Sequence, residues 1–237
     1  IPLPMKLVFL IATALVLRLS ANPVAGEGSD LKPDANAIFG SMDNGFEYII
    51  YPNSEPPGKF SVRLHIAAGS LMEDDDQRGL AHFLEHMVFN GSKNFTPAEL
   101  IPRMQRLGIQ FGAHANAYTS FDETVYMLDL PNMDEETVNL SFTVMRDFAD
   151  GALLTKEEIE SERGVIISEK ASRDSVGYRM MLKQFEYLIP GSRLMKRVPI
   201  GTEEVIKTAP RERFIDFYTR YYTPKPVSYT HLRAHET

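Results

Sequence analysis

The stretch GLAHFLEHMVFNGS, Gly79–Ser92, places two histidines and a glutamate, His82, Glu85 and His86, inside an otherwise apolar run. The acids of EDDDQRG precede it and Asn90-Gly91 follows it. Carboxylates suit the positive end of a helix dipole and glycine ends a helix, so the stretch predicts a helix. Residues four apart on a helix lie about 40° apart around the axis and roughly 6 Å from each other, so His82 and His86 share a face and can grip one ion. Glu85 sits beside them, where a carboxylate can take a proton from water at an open coordination position.

Histidine pairs at this spacing also occur as plain surface or core residues. The complete H-x-x-E-H pattern on an apolar helix is more specific, because it is the inverted zincin motif. Such a site needs a third ligand, and the chain has no cysteine, so that ligand is a carboxylate or a histidine. The later stretch EEIESERGVIISEK offers Glu162 and Glu169, seven residues apart and therefore on nearly one helical face. Spacing alone does not choose between them, and both also read as solvated residues of a charged helix, like Glu157, Glu158 and Glu160.

The chain has 237 residues, 43% of them hydrophobic, enough to bury a substantial core. A net charge of -7 without a basic run argues against a nucleic-acid partner. The missing cysteines exclude disulfides, thiolate ligands and thiol catalysis. At the N-terminus, Met5-Lys6 and the apolar run to Leu17, followed by small residues, read as a secretory signal peptide over residues 1–25, with 1–4 as upstream or foreign residues. The run is too short for a comfortable membrane span, and none is expected after cleavage.

A linker is expected over residues 26–40 and a folded domain over 41–227. Two alternating stretches around a Pro- and Gly-rich turn, FEYIIYPNSEPPGKFSVRLHIAAGS, predict a β-hairpin with Val62, Leu64 and Ile66 on one face. Thr96-Pro97-Ala98-Glu99 and Thr155-Lys156-Glu157-Glu158 are capping boxes that open helices. QFGAHANAYTS and ETVYMLDLP predict two more strands. Helices are expected from about Asp134 to Ala149, from Thr155 past Glu169, and from Arg211 to Tyr222. The fold class is therefore α+β, a mainly antiparallel sheet covered by helices.

Three separated segments, HFLEHMVFNGS, GIQFGAHANAYTSFDETVYML and EEIESERGVIISE, resemble in order those of the insulinase or pitrilysin type of zinc metallopeptidase, which includes the mitochondrial processing peptidases. The resemblance covers roughly Phe46 to Pro224 and implies that the domain over 41–227 is a zinc peptidase domain. It implies one zinc ion held by His82, His86 and Glu169, with Glu85 as general base and Glu162 supporting the site. It implies further that Asn116, Ala117 and Tyr118 hold an extended peptide substrate by β-augmentation. His65 and His114 match no role in the motif; the first reads as a strand-face residue. The sequons at Asn90 and Asn94 are assigned no function.

In this family an apolar strand follows the segment similar to RYYTP, whereas here the text is KPVSYTHLRAHET. Residues 228–237 therefore read as a non-native tail on an incomplete domain. Family members enclose substrate between two halves, so the missing C-terminal domains, or a homologous partner subunit, are expected partners, and the fragment is expected to be poorly active alone. A periplasmic or secreted bacterial location is expected. A non-catalytic partner domain of the same fold is the alternative, but its usual mark is a damaged zinc motif, and here the motif is intact. The lyase class that shares H-x-x-E-H uses a cysteine that this chain lacks.

Overall fold

The computed structural model describes residues 32–224 and, as backbone, 227–233. The expected signal peptide lies outside the described residues, as do Gly26–Leu31 and residues 234–237 of the tail. A six-stranded sheet runs in the order β1-β2-β6-β3-β5-β4. Its strands are β1 (Ile38–Ser41), β2 (Glu47–Pro52), β3 (Phe60–Ile66), β4 (Ala115–Thr119), β5 (Thr124–Leu130) and β6 (Val227–Arg233). All neighbours pair antiparallel except β2 with β6, which run parallel. The α+β reading with a mainly antiparallel sheet holds.

One local expectation is corrected. β2 and β3 do not form a hairpin, because β6 pairs with both and lies between them. Alternation reports which face of a strand is buried, not which strand is its neighbour. Ile38–Ser41, at the end of the stretch expected as a linker, pairs with β2. Most of β6 comes from the stretch expected as a non-native tail, for a ladder is built from backbone N–H and C=O groups that every non-proline residue carries.

The helices are α1 (Leu80–Met87), α2 (Pro97–Arg106), α3 (Glu135–Asp150), α4 (Lys156–Arg173), α5 (Val176–Leu188), α6 (Glu203–Thr208) and α7 (Arg211–Tyr221). Both capping boxes mark helix starts: Thr96 and Glu99 cap α2 reciprocally, and Thr155 caps α4 by accepting from the Glu158 amide. The sequence reading contains neither α5, which Ser175 caps, nor α6, which Thr202 caps. No helix among the described residues is long and apolar enough to cross a membrane.

The core lies between the sheet and α1, α3 and α7. Phe60, Val62, Leu64 and Ile66 of β3 are all buried, as the period of two requires. From α1 the side chains of Leu80, Phe83, Leu84 and Met87 are fully enclosed, and the Phe83 ring meets Phe214 of α7 edge-on at 4.8 Å. The apolar stripe thus fixes α1 in the core, and its remaining face turns toward α4.

Candidate metal centre

One turn of α1 separates His82 from His86, and their rings lie 4.9 Å apart. Across from them on α4, Glu169 Oε2 is 3.5 Å from His82 Nε2 and 3.4 Å from His86 Nε2. Each of the three residues offers a ligand atom within 4.8 Å of the others. Two imidazole nitrogens and one carboxylate oxygen form a donor set that suits zinc and leaves a coordination position open. The buried Nδ1 of His82 has no hydrogen-bond partner among the described residues.

The second carboxylate of α4 plays a different part. His86 Nδ1 donates to Glu162 Oε1 at 2.9 Å. A carboxylate only accepts, so this bond puts the His86 proton on Nδ1 and turns the lone pair of Nε2 toward Glu169. Asn90, just beyond α1, donates to Glu162 Oε2 at 2.8 Å and fixes the carboxylate from its other side. The two glutamates that spacing left equivalent are thereby separated, one facing both Nε2 atoms and one behind His86.

Charge reinforces the arrangement. The His82 imidazole beside it, opposed by burial and helped by the Arg173 guanidinium, brings the Glu169 carboxyl down to about 2. The Glu162 carboxyl is also held below its ordinary range, chiefly by the hydrogen bond from His86. For His86 burial works against the charged form, but the Glu162 hydrogen bond and the charges of Glu85, Glu162 and Glu169 outweigh it and raise its pKa. Three carboxylates around two imidazoles leave a site that favours a cation.

Glu85 lies outside the set of ligand atoms. Its Oε2 accepts from Thr119 Oγ1 at 2.6 Å, a contact the sequence reading did not foresee. Thr119 is two residues along β4 from Ala117, and this parity could have signalled it. Of the expected substrate residues, Asn116, Ala117 and Tyr118 all lie on β4, an edge of the sheet. The Ala117 amide donates to Asn116 Oδ1 at 3.1 Å. Tyr118 alternates away from Thr119, and its hydroxyl donates to Glu123 at 2.8 Å. His65 reaches the same Glu123 across the sheet, in keeping with a strand-face residue. His114 accepts from the Gln110 amide within its own turn.

Residues 48–184 match the model of the insulinase family, peptidase family M16. The chain is 36% identical to the probable zinc protease PqqL of Haemophilus influenzae over 94% of its own length and 23% of that protein's. It is 33% identical to the chloroplastic stromal processing peptidase of Pisum sativum, over 83% of this chain and 15% of that one. Among solved structures, the periplasmic protease PqqL of Escherichia coli superposes with a TM-score of 0.84 at 32% identity, covering 88% of this chain and 23% of that chain. The chain therefore spans less than a quarter of the length of these relatives.

Proposed function

Because the chain belongs to the insulinase family of peptidases, family M16, we propose that it is the catalytic N-terminal domain of a longer zinc endopeptidase that hydrolyses peptides or unfolded segments. The observation that carries this reading is the convergence of His82 Nε2 and His86 Nε2 on Glu169 Oε2, with Glu85 on the same helix held outside the ligand set.

His82, His86 and Glu169 would hold the ion. A zinc ion in such a site polarises a peptide carbonyl and lowers the pKa of water beside it. Glu85 acts as general base, taking the proton of the attacking water on a carboxylate oxygen and passing it to the leaving amine. Thr119 holds that carboxylate through one oxygen and leaves the other for the proton. Glu162 and Asn90 hold the His86 ring in place. The substrate lies along the open edge of β4, where an extended peptide displaces the Asn116 side chain from the Ala117 amide and takes that amide for itself.

The remaining domains of the parent protein, or a homologous subunit, complete the wall opposite the metal, so the fragment alone is poorly active. The N-terminal pattern and the periplasmic relative support a periplasmic or secreted location. In the full-length parent, Glu85→Gln is expected to abolish cleavage of an unfolded peptide while zinc content stays near one per molecule, and Glu169→Gln to lose the metal. Cleavage that survives Glu85→Gln would overturn the assigned base.

A further inference from the structure

The amides that begin α1 have no local cap. Gly79, at the N-cap position, takes φ +106° and lies against Gly201: a Cβ on Gly79 would sit 2.9 Å from Gly201 Cα, and one on Gly201 2.3 Å from Gly79 Cα. No side chain fits between the two backbones, so none of the usual capping residues can stand at position 79. The acceptor comes instead from Glu73, six residues upstream. Its Oε1 accepts from the Gly79 amide at 3.0 Å and the Ala81 amide at 2.9 Å.

Glu73 is fully enclosed, and its Oε2 has no hydrogen-bond partner among the described residues. A buried carboxyl that is only half satisfied costs stability and calls for a reason. The neighbouring contacts supply one. The Glu73 carbonyl accepts from Arg197 Nε and from Arg193, both at 3.0 Å, and Arg197 is itself buried. The same strip of chain continues to the Thr202 amide, which donates to the Arg78 carbonyl at 3.2 Å. It also receives Lys170 Nζ on the Gly201 carbonyl at 2.7 Å. Lys170 follows Glu169 on α4, so residues 193–202 tie the start of the histidine helix to the glutamate helix.

We propose that Glu73 is a positioning residue for the metal centre: its carboxyl, on a backbone braced at its carbonyl by Arg193 and Arg197, sets the rotation and height of α1 so that His82 and His86 meet Glu169. This rests on the metal-site reading above. A site loosened by a fraction of an ångström loses affinity even when the fold survives.

The test is zinc affinity of the full chain, measured by chelator competition at a temperature where each variant is fully folded, beside melting curves of the zinc-free forms. Glu73→Gln keeps an acceptor at the same reach and is expected to bind within about twofold of the parent, whereas Glu73→Asp withdraws it and weakens zinc binding about tenfold or more. A lower melting temperature in Glu73→Asp with unchanged affinity would mean a merely structural role and overturn the proposal. Should Glu73→Asp not fold, Arg197→Gln removes the brace with the carboxyl in place and is read the same way. Zinc absent from the parent chain would remove the metal-site reading itself; zinc held equally by the parent and the variants removes only the role of Glu73.

Discussion

Glu73 and Asn90 show how single side chains outside the ligand set shape the centre. Burial pushes the Glu73 carboxyl from 4.5 up to about 8, against the two amide hydrogen bonds and the Arg197 charge that favour its ionised form. The folded state then holds a proton that the unfolded chain releases above its ordinary carboxyl range. The contribution of Glu73 to stability therefore declines as pH rises from about 4.5 to about 8 and is constant outside that window. Urea midpoints at pH 5 and pH 8 are expected to differ more for the parent than for Glu73→Gln, and equal differences would refute the assignment. Asn90 acts on His86 through Glu162. Asn90→Ala is expected to weaken zinc binding by about tenfold with little loss of fold, read by chelator competition, because such supporting bonds orient the ligand ring.

At the scale of elements, α1 is the piece on which everything depends. It carries both histidines on the face toward α4 and is clasped elsewhere by β4, β5 and α7. Phe83, fully enclosed against Phe214, is the largest apolar anchor of that packing. Phe83→Ala is expected to cost about 3–5 kcal/mol in chemical denaturation, because the cavity it leaves is walled by sheet and helices that relax only in part. A loss below about 1 kcal/mol would mean that α1 is held by its polar contacts alone. The capping boxes of α2 and α4 were legible in the sequence because their partners are three residues apart. The cap of α1 was not, since its acceptor comes from outside the helix and its N-cap is dictated by Gly201.

For the molecule as a whole, β6 is the strand that makes one sheet of two pieces. It joins the β1-β2 pair to the β3-β5-β4 set through ladders on both sides. A chain ending at Pro224 is expected to lose cooperative unfolding and to aggregate, since β2 and β3 would each present a bare edge. A chain ending at Arg233 is expected to melt like the parent in calorimetry. Local pattern by itself determined the starts of α2 and α4, the buried face of β3, the α+β class and the H-x-x-E-H pair, because each is written within a few residues by a fixed period or a cap. The tertiary structure alone decided that a distant segment enters between β2 and β3, that Thr119 meets Glu85, and that Glu73 caps α1. Of two glutamates equal by spacing, it turned one toward the histidine Nε2 atoms and the other behind His86. These choices depend on which surfaces meet across the sheet, and no period along the chain encodes them.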